Sequence, residues 1–147
     1  MNDTQTDPFD LKRFVDAQQP CFAGIQAELA AGCKQSHWMW FIFPQIDGLG
    51  FSPTAKFYAI KSLAEARAYL AHPVLGSRLI ACAGAVLEHR EKTAHAILGS
   101  PDDAKLCSSM TLFEYAQPNE PVFGHVLDAF FSGVRDVLTL DILRDRA

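Results

Sequence analysis

The sequence predicts an all-α fold of about seven or eight helices, and three observations carry that prediction. Apolar residues recur at three- and four-residue spacing along most of the chain. Serine followed by proline recurs where a helix would begin, and glycine where one would end. Strand-length apolar runs bounded by hairpin dipeptides are absent. At 147 residues the chain has the length of one domain, placed at 1–147, with enough material to bury a core without disulfide or metal staples.

The elements follow in order. Asp7-Pro8 opens a segment whose Leu11, Phe14, Val15 and Gln18 keep helical spacing, and Pro20 closes it. Phe22, Ile25, Gln26 and Leu29 continue the period up to Gly32, a natural stop. The aromatic run Trp38 to Phe43 ends at Pro44, and periodicity does not separate a short extended segment there from a helical turn. Ser52-Pro53 caps and opens a helix over Thr54 to Lys61. Ser62-Leu63-Ala64-Glu65 has the capping-box form, with Leu63, Ala66 and Leu70 facing the core. His72-Pro73 divides that helix from the long stripe of Val74, Leu75, Leu79, Ala83, Val86 and Leu87. Gly99-Ser100-Pro101-Asp102-Asp103 reads as stop, cap, first-turn proline and two carboxylates at the positive end of the helix dipole. Leu106, Met110 and Phe113 carry the core face of that helix. Val122, Val126, Leu127, Phe130 and Phe131 form another, ending at Gly133, and Val137, Leu138, Leu140 and Leu143 form a last short one.

Composition narrows the function classes. About half the residues are hydrophobic and a fifth charged, which fits an ordinary globular domain and excludes a largely disordered chain. The net charge is -4, and the 13 Lys and Arg are scattered among 17 acidic residues, so no nucleic-acid partner is expected. Cys21, Cys33, Cys82 and Cys107 are far apart, form no CxxC pair and sit in apolar patterns, which reads as reduced thiols. Met1 to Asp10 lacks the apolar core of a signal peptide, and no run of about 18 apolar residues offers a membrane span. The expectation is a cytoplasmic protein with no membrane association. The five histidines form neither HxH nor HExxH, so neither a metal site nor a cofactor is expected.

The candidate site begins at Ser36-His37-Trp38-Met39-Trp40-Phe41-Ile42-Phe43-Pro44-Gln45, where both tryptophans lie beside a histidine. Trp38 and Trp40 could stack on a flat ring, with Ser36, His37 and Gln45 as polar groups beside them. The same rings would serve equally as a hydrophobic plug between helices. Lys56 and Tyr58 come early in the helix after the Gly48-Leu49-Gly50 loop, which matches neither GxGxxG nor a P-loop. Lys105, Ser108 and Ser109 offer a cation and hydroxyls for a phosphate or carboxylate. No GxSxG elbow occurs, and the catalytic residues, if the chain has any, stay unknown.

On these motifs, together with Asp7-Pro8-Phe9, Tyr58-Ala59-Ile60, His72-Pro73-Val74-Leu75-Gly76 and Ser108-Ser109-Met110-Thr111-Leu112-Phe113, the chain closely resembles a bacterial family of unknown function. Some members of that family carry a calpastatin-like label. The resemblance covers nearly the whole chain and implies a mostly helical domain, without an assigned activity. A fainter likeness joins Phe51 to Lys61 and Asp102 to Lys105 with helical glycosidases that cleave N-glycosidic bonds of ADP-ribose or riboflavin intermediates. Those enzymes carry a Glu-His pair where this chain has Ala55-Lys56, so the acid that would assist cleavage is missing.

The leading expectation is therefore a domain that binds a small anionic, nucleotide-like or ADP-ribose-like ligand, with its status as an N-glycosidase-related enzyme left open. Its pocket would lie between the Ser36 to Gln45 segment, the Gly48 to Gly50 loop and the Lys105 to Ser109 face. The alternative is a protein-protein interaction module, or a homo-oligomer surface, without chemistry.

Overall fold

The computed structural model describes residues 7–146, so the reading of the first six residues as lacking a signal peptide lies outside the described part. Among the described residues ten helices run in chain order: α1 Lys12–Gln18, α2 Phe22–Ala31, α3 Met39–Ile42, α4 Pro53–Tyr58, α5 Leu63–Ala71, α6 Leu75–Leu87, α7 Ala94–Leu98, α8 Asp102–Ala116, α9 Pro121–Phe131 and α10 Val137–Asp145. The all-α expectation holds, with more helices than the seven or eight predicted because single-turn pieces such as α3 and α7 are too short to show a period. Among the described residues no single helix is long and apolar enough to cross a membrane.

Helix α8 is the axis of the fold, packing against α5, α7, α9 and α10. Every residue from Ser108 to Phe113 is buried, so α8 is enclosed on all sides rather than amphipathic. Helices α5, α6 and α9 pack with it around Tyr69, Leu79, Val86, Phe113, Phe123 and Leu127, all essentially inaccessible. The four cysteines are free. Burial pushes the Cys82 thiol up to about 12, so it packs as a protonated, apolar group.

Local sequence accounts for most boundaries. The Asp7 carboxylate accepts from the Leu11 and Lys12 amides and fixes the entry to α1. Gly32 ends α2 in the left-handed conformation at φ 68°. Ser52 and Ser62 cap α4 and α5 through the Ala55 and Glu65 amides, each at 3.1 Å. His72 does more than end α5. Its Nδ1 accepts from the Val74 and Leu75 amides at the start of α6.

One open alternative is settled and two expectations need correction. The aromatic segment is a single helical turn, α3, and not an extended segment. Phe43, the residue before Pro44, is driven out of the helical region to φ -124°, ψ 70°, and pairing resumes only beyond the proline, at an isolated parallel bridge between Ile46 and Ile60. That bridge also ends α4 at Tyr58, short of Lys61, since Ala59 must be extended to bring Ile60 to Gln45 and Asp47. Finally, Ser100 does not cap α8. Pro101 occupies the cap position without a side-chain bond, the Ser100–Pro101 peptide is cis, and the Asp103 carboxylate takes the Ala104 amide instead.

Candidate functional site

Between α3, the loop after it and the N-terminal half of α8 lies an open cleft of about 390 Å³. Trp40, Gln45, Lys105 and Ser108 line it, with Leu49, Phe51, Ala55 and Pro101 among their neighbours. The volume falls within the range of small-molecule sites. Local backbone makes this geometry. Gly48 sits at φ 113°, and a Cβ on Gly50 would meet the Ala55 Cβ at 2.6 Å, so the loop folds against α4 only with glycines there.

Charge in the cleft is set by three residues. The Lys34 ammonium, 7% exposed, contacts the Asp102 carboxylate at 2.9 Å and donates to the Ser36 carbonyl at 2.6 Å. Asp102 is thereby neutralised. Lys105 stands farther from it, at 3.6 Å, and rests 5.3 Å from the centroid of the Trp40 ring. Lys105 is thus the charged group that lines the cleft, held over an aromatic face. Below it the Ser108 hydroxyl, within 3.3 Å of the Ala104 carbonyl, reaches Asp136 Oδ2 at 3.2 Å. Asp136 caps α10 through the Thr139 amide and hydroxyl. The neighbouring Arg135 clamps Glu114 of α8 with a two-pronged ion pair at 2.8 and 2.5 Å, so the loop that carries Asp136 is tied to the helix that carries Ser108.

The remaining sequence candidates lie elsewhere. Trp38 is 1% exposed, and its indole N–H donates to Glu28 Oε1 at 2.9 Å, so it cannot stack on a ligand. Ser36 is committed to the same carboxylate through its amide and its hydroxyl. His37 is exposed and lies outside the residues lining the cleft. Lys56 lies outside the cleft that Ala55 lines and enters a second hollow with Arg13, Phe57 and Glu65. Tyr58 lies behind the site, on a void of about 10 Å³ shared with Trp40 and Gln45, and packs against Phe14, Phe41 and Phe57. The Ser109 hydroxyl points into the core, where it has no hydrogen-bond partner among the described residues.

Glu28 is the residue the sequence concealed. From α2 it collects the amides of Gln35 and Ser36, the Ser36 hydroxyl and the Trp38 indole, which pins the approach to α3. Partial burial opposes its charge, but these donors outweigh it and hold the carboxyl down to about 2. Because the folded value lies below the ordinary value of 4.5, the stabilisation is present above that pH and is lost as pH falls toward 2. Glu28→Gln is therefore expected to be less stable than wild type at neutral pH, with the difference shrinking through the acid range. Denaturant melts at stepped pH measure this, and a gap that stays constant down to pH about 2 would contradict it.

The second hollow, about 490 Å³, is built differently. All five Arg13 donors are engaged, by the carbonyls of Phe9, Asp10, Phe57 and Ala59 and by Glu65 at 2.7 Å. Glu65 in turn accepts the Lys61 amide. Its buried Arg13–Glu65 pair binds the fold together, while the Lys56 and Lys61 side chains stand at its edge.

A family model described as "Protein of unknown function (DUF1810)" matches residues 8–143. The chain is similar over 94% of its length to the conserved hypothetical protein Rv1873 from Mycobacterium tuberculosis, at 50% identity and a TM-score of 0.93, covering 99% of that crystal structure's chain. No curated protein matches it.

Proposed function

We propose that this chain, which belongs to the DUF1810 family, binds a small ligand carrying one flat ring and one anionic group in the cleft between Trp40 and α8. The observation that carries this reading is the convergence of an aromatic face, the Lys105 ammonium and the Gln45 amide on one hollow of suitable size. Trp40 supplies the stacking surface, Lys105 the charge and Gln45 the orienting amide, while Ser108, its proton held by Asp136, is left only as an acceptor. Among the described residues that line the cleft there is one indole face and one ammonium, which match a mononucleotide better than a longer diphosphate. No carboxylate is among the lining residues, so binding rather than N-glycosidic cleavage is what the geometry supports.

Thermal unfolding against nucleotides, ADP-ribose, flavins and sugar phosphates tests the reading. A ligand held by the folded state alone raises apparent stability, by about 2.7 kcal/mol at a hundred times its Kd. The expected result is a concentration-dependent rise with a mononucleotide, abolished by Trp40→Ala in a protein that still folds. No rise with any compound would sink it.

One observation favours a second reading. Phe51, 78% exposed, stands at the rim of the cleft and would suit a protein partner or a second copy. Sedimentation that shows dimers in wild type and monomers in Phe51→Ser would support that alternative.

A further inference from the structure

Resting on the cleft reading, we infer that Lys105 decides which ring compounds the site accepts, by covering the Trp40 face until an anionic group draws it away. The ammonium lies 5.3 Å from the indole centroid and 3.6 Å from Asp102 Oδ1, and both Lys105 and Trp40 line the cleft. A ring that stacks on Trp40 from the cleft must displace that ammonium. Two attractions are then lost or weakened, the cation–π contact and the pull of Asp102.

Asp102 does not hold Lys105 firmly, because its closer partner is Lys34 at 2.9 Å, itself fixed by the Ser36 carbonyl and placed 5.0 Å from the Trp38 ring. Lys34 and Lys105 thus share one carboxylate and each caps one tryptophan. Only Lys105 is free to move, being about a quarter exposed where Lys34 is enclosed. A neutral ring displaces the ammonium and offers nothing in return. A ring bearing a phosphate repays the displacement with a charge-assisted hydrogen bond to the same ammonium. Lys105 therefore selects phosphorylated ring compounds over their unphosphorylated forms, from both directions at once.

Calorimetric titration of wild type and Lys105→Ala with adenosine and with adenosine 5′-monophosphate reads both arms. The expected result is a crossing pattern: the variant binds the monophosphate at least about ten-fold more weakly and adenosine about two- to five-fold more tightly. Lys105→Gln, one atom shorter, keeps a polar end and removes the charge, and should behave likewise. Equal weakening of both ligands would make Lys105 a structural prop, and unchanged affinities would make it a bystander. Either result overturns the inference; the cleft reading then stands on Trp40 stacking, and unchanged affinities also remove Lys105 from it. If wild type binds neither compound, the cleft reading fails first and takes this one with it.

Discussion

Arg13→Met is expected to cost about 3–5 kcal/mol of folding stability, a large share of what a domain of this size possesses. The Arg13 side chain is 7% exposed and the Glu65 side chain 2% exposed. Removing the cation strands a buried carboxylate with only the Lys61 amide, and frees the four carbonyls that the guanidinium gathers from the start of α1 and the end of α4. Those carbonyls belong to segments that secondary structure does not tie together, so one side chain joins what the backbone leaves apart. Denaturant unfolding measures the loss. Should the variant be too unstable to purify, Glu65→Gln offers a milder break, and the double variant Arg13→Met with Glu65→Gln should lose less than the two single losses added together. Additive losses would mean that the pair does not act as a unit.

Trp38→Ala should cost a similar amount, about 3–5 kcal/mol, for a different reason. The ring is enclosed among the core residues beside Phe43, with centroids 6.2 Å apart, and its N–H is one of four donors on Glu28. Truncation leaves a cavity and also loosens the turn that carries Trp40. Trp38→Phe should keep most of the packing and lose about 1 kcal/mol with the hydrogen bond. Trp40→Ala, at a half-buried position on the cleft, should be far milder in stability. If the two tryptophan truncations cost the same, the division between a structural and a site-facing indole is wrong.

That division shows where the sequence is legible and where it stops. The spacing of apolar residues identifies α2, α5, α6 and α9, and the serine caps at Ser52 and Ser62 are local chemistry that a linear reading captures. Helix α8 is harder. Its run Ser108-Ser109-Met110-Thr111 looks like a hydroxyl-rich exposed face, yet enclosure by four helices turns Thr111 onto its own backbone and Ser108 onto Asp136. Trp38 and Trp40 are two residues apart in nearly identical surroundings in the chain. What separates them is Glu28, ten residues before Trp38 and on another helix, and no local pattern announces that contact. Arg13 and Glu65 are farther apart still, and the capping-box reading of Glu65 gives no hint of its partner Arg13. The cleft itself joins α3 to α8 across the whole middle of the chain, so composition could nominate its residues without separating Lys105 from Lys56 or Ser108 from Ser109.

The most direct test of the cleft uses the two indoles as paired reporters. Trp38 and Trp40 each give one side-chain N–H signal in a nitrogen-edited NMR spectrum of the labelled protein, assigned by Trp40→Phe. Titration with adenosine 5′-monophosphate should move the Trp40 signal saturably and leave that of Trp38, locked on Glu28, where it was. A Trp40 signal that stays fixed at millimolar ligand, or shifts centred on Trp38 and α2, would contradict the site.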